Sequence, residues 1–145
     1  MMKKERYKLP FAAHLFLIKD NKILLYLRKG GKFDNMYSLI AGHVEEGETA
    51  TNTIIREAKE ESNIDIDSSD VNFSCFSHSN AGNKEFTQIF FVCKNWSSEI
   101  KNMEENRCFK LIFCDINNLP SNTVSYIKKA INCYLNKIAY FEFDW

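Results

Sequence analysis

Two apolar runs open the chain, FAAHLFLI at residues 11–18 and ILLYL at residues 23–27. Both are rich in β-forming residues, and Lys19, Asp20, Asn21 and Lys22 between them are turn residues, so the pair predicts a β-hairpin. A basic loop with two glycines follows (Arg28, Lys29, Gly30, Gly31, Lys32), then a short apolar run from Tyr37 to Ala41. From Thr49 to Ser62 the period changes. Ala50, Ile54 and Ala58 recur at four-residue spacing, which marks one face of a helix. Thr49 is a suitable N-cap, and Asn63 tolerates the left-handed backbone that ends a helix. Strands are predicted next at Val71–Phe76, Phe86–Lys94 and Cys108–Cys114, with Ser77 to Lys84 as a polar loop. A Leu119-Pro120 turn, with Ser121 or Asn122 as cap, precedes a second helix from Val124 to Lys137. Its Val124, Ile127, Ala130, Ile131, Tyr134 and Leu135 form one apolar stripe. The closing YFEFDW is too aromatic for a free tail and is expected to pack on the body. No repeat, low-complexity tract or linker divides the chain, so residues 1–145 form a single predicted domain.

Composition narrows the function. The 145 residues are enough for one domain with a real core, and 45% hydrophobic with 26% charged residues is a globular balance. The 19 basic and 19 acidic residues cancel. That removes the field expected of a general nucleic-acid binder or of a protein drawn to acidic membranes. Five cysteines (Cys75, Cys93, Cys108, Cys114 and Cys133) include no C-x-x-C pair, which argues against a zinc knuckle or dithiol redox site. The N-terminus MMKKERYKLPFAAHLFLIKD is basic and then apolar, yet His14 interrupts it, no cleavage site is evident, and it runs into a strand pattern. No stretch approaches the roughly 18 apolar residues of a membrane span. A cytoplasmic protein with reduced thiols, and with neither membrane nor nucleic acid as partner, is expected.

Residues 56–62 read REAKEES, which packs Glu57, Glu60 and Glu61 into little more than one helical turn. Like charges at that spacing repel by roughly 0.2–0.5 kcal/mol per pair. On a wheel of about 100° per residue with Ala50 at zero, Ile54 and Ala58 fall at about 40° and about 80°. Glu61 lands at about 20°, Glu57 at about 340° and Glu60 at about 280°. Glu61 therefore lies inside the apolar stripe, Glu57 on its shoulder and Glu60 outside it. Carboxylates at a core edge require compensation. Arg56 and Lys59 point to about 240° and about 180°, mostly away from Glu61. A hard divalent cation such as Mg²⁺ suits these oxygen donors better. The wheel alone leaves a solvated acidic face open as the alternative.

The longer stretch GHVEEGETATNTIIREAKEESNI, residues 42–64, resembles the signature box of the Nudix hydrolases, G-x5-E-x7-R-E-U-x-E-E-x-G-U with U apolar. Gly42, Glu48, Arg56, Glu57, Ala58, Glu60, Glu61 and Ile64 stand at its defined positions. The glycine near its end is Asn63 here, a residue enriched at positive φ. The lead-in from Tyr37 to Glu45 and the order of elements are also similar to the family. The resemblance implies an α+β fold, a Nudix-like α/β/α sandwich with a mixed central sheet between helices. It also implies hydrolysis of a nucleoside diphosphate linked to another group, with Mg²⁺ or Mn²⁺ as cofactor. Carried over residue by residue, it makes Glu57, Glu60 and Glu61 metal-binding carboxylates and Gly42 a carbonyl ligand. Glu48 and Arg56 match supporting positions, read as an ion pair between loop and helix. Trp96-Ser97-Ser98-Glu99 is similar to a W-x-x-E feature of the branch that hydrolyses nucleoside triphosphates, so Glu99 is a candidate distal metal ligand or base. A loop glutamate facing solvent is the other reading of Glu99.

Splitting a diphosphate linkage needs cations against its charge and a base for the attacking water, and clustered glutamates supply both needs. Glu57 or Glu60 is preferred to Glu99 as that base. Arg28 and Lys32 are candidates for holding terminal phosphates, against the simpler reading of a solvated hairpin loop. His43 is a candidate substrate contact or a structural hydrogen-bonder. His78, in the predicted polar loop, would border a base pocket, and His14 is read as a core or edge histidine. The favoured reaction takes a nucleoside triphosphate to monophosphate and pyrophosphate. Alternatives are a nucleotide-sugar or dinucleoside polyphosphate hydrolase, a silent Nudix-fold binding module, or an acidic protein-interaction surface. The expected partner is a small nucleotide. Many similar enzymes pair, so a homodimer is a candidate state.

Overall fold

The computed structural model describes residues 2–145. β1 (Phe11–Lys19) and β2 (Lys22–Arg28) form the expected hairpin, with Ile18 opposite Ile23. Asp20 and Asn21 sit at φ 52° and 59°, the paired left-handed residues of a two-residue turn whose twist matches the strands. Short strands β3 (Tyr37–Ser38) and β4 (Ile40–His43) lead to helix α1 (Ala50–Ser62). A 3-10 turn at Ser68–Asp70 precedes the longer strands β5 (Asn72–Ala81) and β6 (Lys84–Cys93). β7 (Cys108–Asp115), helix α2 (Ser125–Leu135) and β8 (Tyr140–Phe143) complete the chain.

The eight strands make one mixed sheet in the order β3-β2-β1-β6-β5-β8, with β4 also pairing β1 and β7 pairing β2. β1 is the pivot. One edge runs parallel to β6, while the other is shared, residues 12–15 pairing with β4 and residues 18–19 with β2. Two neighbours on one edge diverge, and the gap between β2 and β4 opens a cleft. α1 covers one face, where its Ile54 and Ala58 pack with Ala13, Leu15, Leu17 and Ile40. α2 covers the other, setting Ile127, Ala130 and Ile131 against Phe16, Cys75 and Phe90. Each fully buried Ile contributes about 1.5–3 kcal/mol from apolar transfer. The helix–sheet–helix layering agrees with the expected sandwich.

Two local expectations are corrected. Residues 77–81 are not a loop, because β5 continues to Ala81 and meets β6 through a tight turn at Gly82 and Asn83 (φ 60° and 65°). Ser77 and Ser79 face inward there and are fully buried, so an inner face made of small polar residues disguised the strand. Helix α2 begins where expected, but its cap is neither Ser121 nor Asn122. Val124 stands at its N-cap with no side-chain cap, and Asn122 donates instead to the Asn35 carbonyl at 2.8 Å. The aromatic C-terminus does pack on the body, as the parallel edge strand β8 beside β5. All five thiols are free. Among the described residues no helix is long and apolar enough to cross a membrane.

Candidate active site

Arg56 ties α1 to the loop before it. Its Nε and Nη2 donate to the two Glu48 carboxylate oxygens at 2.8 and 3.0 Å, a bidentate pair. Its Nη1 donates to Glu57 Oε1 at 2.8 Å and to Glu60 Oε2 at 3.3 Å. Thr53 Oγ1 donates to Glu48 Oε1 at 2.6 Å. These hydrogen bonds, Arg56 first, hold the Glu48 carboxyl well below the usual range, at about 2. The helix that carries these groups is capped at both ends. Thr49 Oγ1 accepts from the Asn52 N–H at 3.1 Å, and Asn63 stands at φ 69° with its N–H on the Lys59 carbonyl. Lys59 turns away, to Asp65.

Glu57 and Glu61 face β4. A Cβ added at Gly42 would fall on the Glu57 carboxyl, so only glycine lets that carboxyl lie against the strand backbone. Burial is the main cause raising the Glu57 pKa, offset in part by Arg56. Glu61 is only 8% exposed, and its Oε2 accepts from the Ala41 N–H at 3.2 Å. Burial, then the neighbouring charges of Glu57 and Glu104, push its pKa up to about 9. Glu60 is the exposed member, its side chain 55% accessible. The order Glu61, Glu57, Glu60 from inside to outside is the order given by the helical wheel.

These groups form one wall of a cleft of about 850 Å³. Arg28, Lys29 and Arg107 also line it, as does Glu104. The Lys29 N–H bonds the Arg107 carbonyl at 2.8 Å, which joins the two basic segments. Glu104 is set by the loop after β6. Asn102 Oδ1 accepts its N–H at 3.0 Å, the Arg107 and Cys108 N–H groups bond its carbonyl at 2.8 Å, and the Met103 N–H bonds the Glu61 carbonyl. The remaining lining includes His43, Phe86, Tyr126 and the buried pair His14 and Gln88. Burial, then His43 and Arg28, lowers the His14 pKa to about 3, so the ring is neutral.

Two candidates lie elsewhere. Glu99 is exposed and outside the cleft lining; its carbonyl accepts from Asn63 Nδ2 at 3.0 Å, so the residue serves the helix end. Lys32 is exposed too and rests over the Phe33 ring, 5.5 Å from its centroid. His78 lies on β5 rather than in a loop, its ring set edge-on to Trp145 at the sheet edge. Sequence reasoning missed Glu104, Lys29, Arg107, Tyr126, Phe86 and Gln88. Lys29 belongs to the basic loop of residues 28–32, whose composition is the signal for it. Glu104 carried no signal, because its place depends on the path of a long irregular loop.

The donor chemistry fits a hard divalent cation. Every candidate ligand is an oxygen, from Glu57, Glu60, Glu61 and the Gly42 carbonyl, and the glycine leaves backbone and carboxyl in contact. Among the described residues no three Asp, Glu, His or Cys side chains converge on one point. Arg56 holds Glu57 and Glu60, while the Ala41 N–H holds Glu61.

Fold and cleft together define a hydrolase class in which a glutamate-rich helix faces a sheet-edge cleft. The NUDIX domain family model matches residues 8–132, and the chain belongs to that family. It is a Nudix hydrolase, acting on nucleoside diphosphate-linked substrates. It is 31% identical over 117 residues to an ADP-ribose pyrophosphatase of Methanocaldococcus jannaschii, covering 81% of this chain and 68% of that one. It is 39% identical over 64 residues to the NAD-capped RNA hydrolase NudC of Pectobacterium atrosepticum, covering 43% of this chain and 25% of that one. Among solved structures, a MutT NUDIX hydrolase from Burkholderia pseudomallei superposes with a TM-score of 0.79 at 20% identity. That match covers 87% of this chain and 98% of the other.

Proposed function

We propose that the protein hydrolyses a nucleoside triphosphate to its monophosphate and pyrophosphate. The observation that carries this reading is the charge of the cleft. Arg28, Lys29 and Arg107 line the same space as the glutamates of α1, giving cations for phosphates beyond the one attacked. A leaving pyrophosphate uses such cations more fully than a leaving sugar phosphate does. Lys32, exposed outside the cleft, has no part in this arrangement.

Glu57, Glu60, Glu61 and the Gly42 carbonyl would hold Mg²⁺ or Mn²⁺, with Glu104 as a further donor. When bound, the cation neutralises the diphosphate and acidifies the attacking water. Glu57 takes the proton of that water at its carboxylate, since burial has made it a stronger base than a free glutamate. Water adds to a phosphorus of the α–β anhydride as the bond from that phosphorus to the bridging oxygen breaks, and pyrophosphate leaves with the nucleoside monophosphate. Arg56 and Glu48 orient Glu57, while His43 faces the substrate from β4.

A second reading, cleavage of ADP-ribose, is favoured by the name of the Methanocaldococcus relative. A turnover screen with Mg²⁺ and Mn²⁺ over nucleoside triphosphates, ADP-ribose, nucleotide sugars and dinucleoside polyphosphates separates the two. Release of pyrophosphate from a triphosphate is expected. Turnover of ADP-ribose alone would overturn the triphosphate reading.

A further inference from the structure

Successive side chains of β2 turn to opposite faces of the sheet. Leu25 and Leu27 enter the core under α2, while Leu24 packs under α1. Tyr26 is therefore directed to the α1 side, and it lines the cleft there with Glu57, Glu61 and Glu104. Ser38 on β3 and Leu111 on β7 stand opposite it on the flanking strands. Only 7% of the residue is exposed.

The hydroxyl of this buried residue is unengaged. The side-chain hydrogen bond that Tyr26 receives ends on its carbonyl, which accepts from Ser38 Oγ at 3.5 Å, and among the described residues none reaches the hydroxyl. Nor is that oxygen sealed in. Among the described residues the sealed polar side-chain atoms without a partner are His14 Nδ1, His78 Nε2 and Asn80 Oδ1. A tyrosine oxygen that is neither bonded nor sealed opens on the space its residue lines, which is the cleft. Burial, then the charges of Glu61 and Glu104, raise the Tyr26 pKa, so the hydroxyl keeps its proton. Other donors at this end are committed. Arg56 serves Glu48, Glu57 and Glu60, and the Ala41 N–H serves Glu61. A buried tyrosine hydroxyl ordinarily has a partner, and here the protein supplies none.

We infer that Tyr26 is a further catalytic residue, whose hydroxyl donates a hydrogen bond to a non-bridging oxygen of the phosphoryl group under attack. This rests on the reading of the cleft as a site of anhydride cleavage. In the transition state the charge of that group is spread over its non-bridging oxygens, and a fixed donor aimed at them stabilises it. A neutral hydroxyl does so without pairing with the glutamates, as another Lys or Arg on this wall would.

Tyr26→Phe removes one oxygen and keeps the ring. On the best triphosphate with Mg²⁺, kcat should fall about a hundredfold with KM little changed. Thermal melts, and Mn²⁺ binding followed by electron paramagnetic resonance without nucleotide, should match the wild type, because the hydroxyl serves neither the fold nor the cation. Sulfur in place of a non-bridging oxygen accepts hydrogen bonds poorly, so the diastereomers of the α-thio and β-thio triphosphates give a second readout. On one of them the wild type should lose more rate than Tyr26→Phe does, since the variant has no such bond left to lose. Effects of sulfur on the cation occur in both proteins and cancel in that comparison. Full activity in Tyr26→Phe, a loss carried by KM or by Mn²⁺ affinity, or equal thio effects in both proteins would overturn the inference. If triphosphates are inert and ADP-ribose is hydrolysed, a hundredfold kcat loss on ADP-ribose upholds the role of Tyr26 while the triphosphate reaction falls.

Discussion

The Glu57 carboxyl occupies the space that a side chain on Gly42 would need. One is on α1 and the other on β4, so the contact sets how closely the acidic helix approaches the strand. Gly42→Ala should push the carboxyl off the strand and loosen its 2.8 Å bond to Arg56. Displacements of this size at a reacting group reduce turnover by about a hundredfold. Steady-state kinetics at saturating Mg²⁺, beside a thermal melt showing an intact fold, checks this. An unchanged kcat would remove the Gly42–Glu57 contact from the catalytic geometry.

Arg56 holds three carboxylates with one guanidinium, and Lys cannot copy that fork. Arg56→Lys and Glu48→Gln should each lower activity or metal affinity by about 10–100-fold, the usual effect of losing a group that orients ligands. Since both act through the same pair, the double variant should lose much less than the two single losses combined. Independent, additive losses would show that Arg56 does not work through Glu48.

Glu104 and Glu99 lie on the same loop, and only Glu104 lines the cleft. Glu104→Gln is expected to weaken metal-dependent turnover by about 10–100-fold. Glu99→Gln should stay within about twofold, because it is the backbone carbonyl of this residue, not its carboxylate, that receives Asn63 Nδ2. The reverse result, with Glu99 sensitive and Glu104 silent, would restore the W-x-x-E reading.

This pair also shows where sequence reasoning ends. The limits of α1 and the inward order of its glutamates were legible, because capping and a 3.6-residue period are local properties. The Arg56–Glu48 pair was legible through the box. Glu104 was not, because nothing local records how residues 94–107 fold back onto the end of α1. The hidden part of β5 failed for a different reason. Ser77, Ser79 and Asn80 carry turn propensity, and the strand is held by its pairing with β6 while Ser79 bonds Ser77 and Ser77 bonds Gln88 on the buried face. His14, taken as a core histidine, is indeed buried, yet its cleft-lining position depends on the neighbouring strands.

Glu61 makes stability depend on pH in a way opposite to an ordinary ion-paired carboxylate. Unfolded, it titrates near the ordinary glutamate value of 4.5; folded, burial and the charges of Glu57 and Glu104 raise it to about 9. Between those values the folded chain holds a proton that the unfolded chain has released, so stability falls as pH rises, by at most about 1.4 kcal/mol per pH unit. Chelated protein melted at pH 5, 7 and 9 should therefore lose Tm across the series. Glu61→Gln keeps the shape and carries no ionisable proton, so its contribution to the slope should vanish while turnover is lost. Added Mg²⁺ should reverse the trend in the wild-type chain, since a cation that binds the ionised carboxylate stabilises the fold more as the proton is easier to displace. A wild-type slope identical to that of Glu61→Gln, with and without Mg²⁺, would show that Glu61 is already ionised at neutral pH and that its burial is compensated by the protein alone.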